Sequence, residues 1–215
     1  GLLLFASLGQ AADPLDEARA AFARGDYTNT VLHATNSIAN NPWQEDSRVL
    51  HIRALLAQGK YADARAVTTN AMEKLSSSVR ILWTARDVFR FNNDLKGSTN
   101  ALNEINRLAS IRSWAYRNAP DMVVLGRTAL SLGADPKAVL DKLYNPAREH
   151  DPEFAGIAHA IGDLAFSKSD YELAGRTFQE ALKKQPKNAG LHLGTARAFA
   201  PSDSKMTAKH LQHAL

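Results

Sequence analysis

The sequence predicts an all-α chain, a solenoid of antiparallel helix-turn-helix hairpins, on three observations. Alanine and leucine dominate its apolar residues and β-branched runs are scarce, which favours helix over strand. Gly25-Asp26-Tyr27 and Gly59-Lys60-Tyr61 are two Gly-polar-Tyr turns, and the step from Tyr27 to Tyr61, taken once more, lands on Leu95 in Asn93-Asp94-Leu95. Glycine and asparagine tolerate positive φ at a helix end, so all three read as the bend inside a hairpin. Small residues then recur at fixed offsets from these bends. A length of 215 residues fits one or two globular domains or a single solenoid, which needs no central core, and 45% hydrophobic with 22% charged residues argues for a folded chain.

Residues 1–12 stand outside the repeats. Leu2-Leu3-Leu4-Phe5-Ala6 is a short apolar run followed by the small residues Ala11 and Ala12, and it resembles the end of a secretory signal peptide. Export, periplasmic or secreted, is the expectation; the alternative is an apolar cap on the first hairpin of a cytoplasmic chain. The run is too short to span a bilayer. No basic segment precedes it and the chain begins at Gly1, so the sequence reads as truncated there.

Three hairpins are expected over residues 13–112. Thr30, Ala64 and Ser98 stand three residues after the turn residues, and Ser37 and Ala71 stand ten after, where helices cross closely and short side chains are required. Ile105 is the exception at that second offset. Pro42 stops the second helix of the first hairpin, whereas Ser76 and Ser110 are weaker stops. The period slips over 113–154, since Tyr171 lies further past Leu95 than two repeats of the Tyr27-to-Tyr61 step would carry it. Met122-Val123-Val124-Leu125-Gly126 with Ala129 reads as a first helix, and Leu132 to Pro136 as its end and a new start with proline in the first turn. The helix that follows, 137–144, is expected to stop at Asn145-Pro146. The extra residues are expected in 113–118 and around 149–152.

The clearest repeat is 155–188. It carries Ile161-Gly162, Tyr171, Ala174, Phe178, Ala181 and Pro186. A further first helix begins at Ala189, Pro201-Ser202-Asp203-Ser204 makes its turn, and a second helix starts by Thr207, so 189–215 reads as a partial repeat and the chain as a fragment. These residues resemble the tetratricopeptide repeat, whose signature is a Leu-Gly pair, then Ala-x-x-x-Phe, then Pro within about 34 residues. The resemblance extends over about 13–215 and is weakest over 113–154. Ala158 and Ala165 depart from it, because the pattern has larger aromatics there, and thinner packing is expected around them.

The resemblance implies a right-handed superhelix whose first helices line a concave groove that holds an extended peptide or a partner helix. Eight residues before each turn position stand Arg19, Arg53, Asp87, Arg127 and Asp163, with Arg197 in the partial repeat; five before stand Phe22, Leu56, Arg90, Leu130 and Phe166. On the groove these make a mixed-charge wall with apolar contacts, biased toward a protein or peptide partner with anionic segments. The competing reading is that they are solvated helix positions. The lysine-and-asparagine clamp with which some members of the family hold C-terminal carboxylates does not appear at these positions.

No chemistry assembles from the remaining residues. The absence of cysteine removes disulfides, cysteine-zinc sites and thiol nucleophiles. A net charge of +4 without a Lys/Arg block argues against nucleic acid as partner. His210 and His213 have the i, i+3 spacing of metal ligands but no third ligand beside them, and read as surface residues on an amphipathic helix. His33, His51, His159 and His192 each stand alone, and Glu149-His150-Asp151 matches no zinc-protease spacing. No phosphate-binding glycine loop or GxSxG elbow occurs. Trp43, Trp83 and Trp114 read as core or inter-hairpin packing. Neither cofactor, metal nor catalytic group is expected. The leading functional expectation is a protein-interaction scaffold rather than an enzyme. Its alternative is the repeat array of a larger exported enzyme, a peptidase or other hydrolase, with its catalytic domain beyond residue 215. The oligomeric state stays open.

Overall fold

The computed structural model describes residues 13–215, so the signal-like segment 1–12 lies outside the described residues. Among these the regular elements are all helical. They are α1 (Pro14–Ala23), α2 (Tyr27–Asn40), α3 (Glu45–Ala57), α4 (Tyr61–Lys74), α5 (Val79–Phe91), α6 (Leu95–Ile111), a 3-10 turn (Ser113–Ala115), α7 (Ala119–Ser131), α8 (Pro136–Val139), a π turn (Leu140–Tyr144), α9 (Asn145–His150), α10 (Ala155–Ser167), α11 (Tyr171–Lys184), α12 (Ala189–Phe199) and α13 (Ser204–Ala214). They form two compact units, one reaching Leu102 and the other starting at Asn103, with the boundary inside α6.

In the first unit α1 pairs with α2 and α3 with α4, and each hairpin packs on the helix that follows it. The bends form where the sequence puts them. Gly25 and Gly59 take φ of +74° and +72°, and Asn93 takes +59°. Directly after each bend an aspartate opens the second helix. Asp26 accepts from the Asn29 amide at 3.1 Å and Asp94 from the Gly97 amide at 2.7 Å. Asp135, Asp170 and Asp203 do the same for α8, α11 and α13. Lys60 is the exception and leaves α4 without a side-chain cap. Each such cap stabilises its helix by about 1 kcal/mol. The short side chains sit where the helices meet: Thr30, Ala34, Ala64 and Thr68 are fully buried, and Ser47 Oγ donates to Ser37 Oγ at 2.7 Å.

The second unit packs the same kind of hairpin with aromatic rings. Phe178 of α11 is 1% exposed and lies against both Gly162 of α10 and Gly194 of α12. A Cβ on Gly194 would fall 2.5 Å from the Phe178 ring, and one on Gly162 would overlap the far edge of the same ring. The Leu-Gly pair therefore exists to seat the aromatic residue of the second helix. Tyr144 is used in the same way. It is fully buried against Gly126, and burial pushes its phenol up to about 12 while the hydroxyl finds no partner.

One boundary differs from expectation. Asn145-Pro146 does not stop the helix that begins at Pro136, which runs on through the π turn and α9 to His150. The Asn145 amide donates to Leu140 O, five residues back. Proline has no N–H and clashes with the carbonyl four residues before it in an α-helix. Widening one turn relieves that clash, so the helix survives its proline. The three segments hold four, five and six residues, one residue more than the 14 of α11. Part of the slip in period is thus absorbed inside a helix rather than in the loop around 149–152.

Candidate interaction surfaces on the first helices

The residues singled out from the sequence all lie on first helices: Arg19 and Phe22 on α1, Arg53 on α3, Asp87 and Arg90 on α5, Arg127 on α7, Asp163 and Phe166 on α10, and Arg197 on α12. The second unit brings its members into contact, whereas in the first Arg53 meets Phe22.

In the second unit three successive first helices form a charge ladder. Arg127 Nη2 donates to Asp163 Oδ2 at 3.3 Å, and Arg197 Nη1 lies 4.0 Å from Asp163 Oδ1. The Arg197 guanidinium also stacks on the Phe166 ring, 4.1 Å from its centroid, and Phe166 packs on Tyr171 and Phe178. One carboxylate serves two guanidinia, which leaves the ladder net positive. The Asp163 and Arg197 side chains are 59% and 63% exposed, so the pairs are screened and weak.

In the first unit the arrangement is less regular. Arg53 stacks on Phe22, 4.8 Å from the centroid. Arg19 bonds Asp16 and reaches across to Asp46 on α3, which also receives Arg80 from α5. Burial opposes ionisation of Asp46, but the Arg80 and Arg19 guanidinia outweigh it and hold the carboxyl below its ordinary value. Asp87 is held by its neighbour Arg86, whose guanidinium lies 3.6 Å over the Trp83 ring. Arg90 is exposed at the end of α5 and has no side-chain partner among the described residues. The predicted charges are thus mostly paired, and the pairing draws in Asp16, Asp46, Arg80 and Arg86, none of which the repeat register singled out.

The histidine and tryptophan expectations need correction. His210 is buried rather than on the surface, with its Nδ1 2.8 Å from Nδ1 of His192. His192 Nε2 lies 2.9 Å from Pro186 O, so that nitrogen carries the proton and the pair requires Nδ1–H of His210 to donate to His192. Burial, then His192, Lys209 and His213, lower the pKa of His210. His192 and His210 are 18 residues apart in the chain, a separation that no motif search would join. His33 is not alone either, for Glu17 lies 2.9 Å from its Nδ1. Trp43 and Trp114 are 63% and 69% exposed in the segments between hairpins, and only Trp83 packs. Ala158 lines a cleft of about 110 Å³ walled by Phe154, Ile157 and Thr177, so packing does thin there, whereas Ala165 is closed into the core. Among the described residues no group of three His, Cys, Asp or Glu is arranged to hold a metal ion, and no helix is long and apolar enough to cross a membrane.

No protein-family model matches the chain, and no curated protein matches it in sequence. Solved structures do match it. The thermophilic TPR protein TTC0263 of Thermus thermophilus superposes with a TM-score of 0.62 at 16% identity, over 87% of this chain and 97% of its own. A chain of the APC/C hetero-tetramer Cut9–Hcn1 superposes with a TM-score of 0.52 at 16% identity, over 94% of this chain but 45% of that one. The class of fold is therefore the helical-hairpin repeat protein. Within it, the fold is that of tetratricopeptide-repeat proteins.

Proposed function

We propose that the chain is a protein-interaction module whose first helices hold an extended peptide or partner helix rich in acidic side chains. The observation that carries this reading is the Arg127–Asp163–Arg197 ladder with Phe166 beneath Arg197. Three consecutive first helices offer side chains on one face, the charge there is net positive, and an aromatic ring lies under the outer cation. An acidic partner would displace the single weak carboxylate and take both guanidinia, while Phe166 supplies apolar contact. Arg53 on Phe22 offers the same pairing of a cation with a ring in the first unit. Affinity in such surfaces concentrates in a few arginine and aromatic anchors rather than in total area.

The test changes Arg127 and Arg197 together to Ala and compares captured partners with those of the unchanged chain, with helicity followed by circular dichroism. Loss of acidic partners with intact helicity is expected. An unchanged set of partners on a folded variant sinks the reading.

A further inference from the structure

The first unit holds a cation that its surroundings do not neutralise. Arg48, in the first turn of α3, is 6% exposed. Its Nε donates to Pro42 O at 2.9 Å and its Nη1 to Asn70 Oδ1 at 3.0 Å. Those bonds use two of the five N–H groups of a guanidinium. No carboxylate among the described residues lies within ion-pair reach of it, whereas Arg19, Arg65, Arg80, Arg86, Arg107, Arg127 and Arg197 all have one. An ionised group removed from water without a counter-charge is costly.

Arg48 lines a hollow of about 330 Å³ between α2 and α4 with α3 as its floor. Such a volume lies at the lower end of what small-molecule sites occupy. The remaining wall is mainly apolar, from Ile38, Ile52 and Val67, with Asn70 and His51 beside the cation. Burial first, and then the Arg48 charge, lower the pKa of His51, so at neutral pH the ring adds no second positive charge. A site with one largely buried cation, a planar set of donors not used within the protein and an aliphatic wall suits a flat monoanion with an apolar tail. A phosphate would bring more charge and more acceptors than this wall can satisfy.

We infer that the hollow binds a carboxylate carried on a short aliphatic stem, its oxygens taken by the unused N–H groups of Arg48 and its stem laid along Ile38, Ile52 and Val67. The planar fork of arginine matches a carboxylate bidentately. The site uses second helices as its rims, and no residue of the proposed charged surfaces belongs to it. Its success or failure is therefore independent of that reading.

The test titrates the full chain with sodium hexanoate and follows backbone amide shifts by NMR. Saturable shifts confined to residues 35–38, 48–52 and 66–70 are expected. Hexanol, which keeps the tail and loses the charge, should bind roughly tenfold more weakly or worse, as should Arg48→Gln, since a hydrogen bond to a charged group is worth at least that factor. Ala66→Trp provides a second variant in case Arg48→Gln unfolds. Ala66 is an exposed rim position, and the indole fills the hollow while leaving Arg48 in place. It should abolish the shifts. A dipeptide ending in leucine, with a free carboxylate or as its amide, then separates the sources. Preference for hexanoate points to a free carboxylic acid, and preference for the acidic dipeptide points to a chain terminus. No saturation by either acid, or equal binding of hexanoate and hexanol, overturns the proposal.

Discussion

The two units solve one packing problem with different side chains. Seven residues after its turn tyrosine, the second unit carries Phe178, locked between Gly162 and Gly194. At the same offset the first unit carries Ala34 and Thr68, both fully buried. A large ring in a glycine seat fixes the distance and rotation of three helices at once. Small residues let the helices approach without such a lock, and the hollow around Arg48 lies between α2 and α4 of that unit. The repeat signature is thus one way of seating three helices, and small residues at the same offset are another.

The difference between the units is most exposed at Phe178. Phe178→Ala should cost the second unit about 3–5 kcal/mol, read as a loss of amide hydrogen-exchange protection in α10, α11 and α12 with that of α3 and α5 in the first unit little changed. A common loss in both would mean that the units do not unfold separately. Gly194→Ala tests the seat rather than the ring. Its Cβ would press on buried Phe178, and a loss of about 1–3 kcal/mol is expected, against little effect for a surface alanine.

Acid should weaken both units, each through its own histidines. Burial lowers the pKa of His51 in the first unit and of His159 and His210 in the second. For such a group the unfolded chain binds the proton more readily, so stability rises with pH across the window. The contribution is complete above the ordinary value of 6.5 and drains away as pH falls through it toward the lowered folded value. Urea midpoints at pH 7.5 and 5.5 should show the decline. Replacing His210 by Gln should reduce it in the second unit alone.

Two smaller effects separate the units further. The Thr68 hydroxyl is buried with no hydrogen-bond partner. Thr68→Val keeps the shape and removes that cost, so a gain of up to about 1 kcal/mol is expected in the first unit. Asp163→Asn should change stability by less than about 1 kcal/mol because its pairs are exposed. It should nevertheless tighten binding of a fluorescent acidic peptide, measured by polarisation, by freeing both arginines. Weaker binding would count against the charged surface.

The fold was legible because its determinants are local. Gly25, Gly59 and Asn93 mark bends by backbone tolerance, and Phe178 with its glycines marks a repeat by size alone. The surfaces were only half legible. Spacing located Arg127, Asp163 and Arg197 on successive first helices, but whether charges are free or paired depends on residues such as Asp46 and Arg80, which contribute from outside the repeat register. The His192–His210 contact and the hollow around Arg48 were invisible for the same reason, since each joins side chains that no short pattern links. Trp43 and Trp114 misled because aromatic content speaks for burial only when the residue lies on a packed helix face.

The π turn at Leu140–Tyr144 bears on how such an array can change over time. An extra residue in a helix would ordinarily rotate everything after it by about 100°, carrying apolar side chains out of the core. Here the surplus is stored in one widened turn, and Tyr144 still reaches its seat at Gly126. The extra residue is thereby silent to the fold, and the proline beside it, which a narrow helix would reject, helps to keep that turn open. Repeat arrays that look degenerate when counted at a fixed period can conceal such repairs, and a search that allows one surplus residue before the aromatic position would recover them.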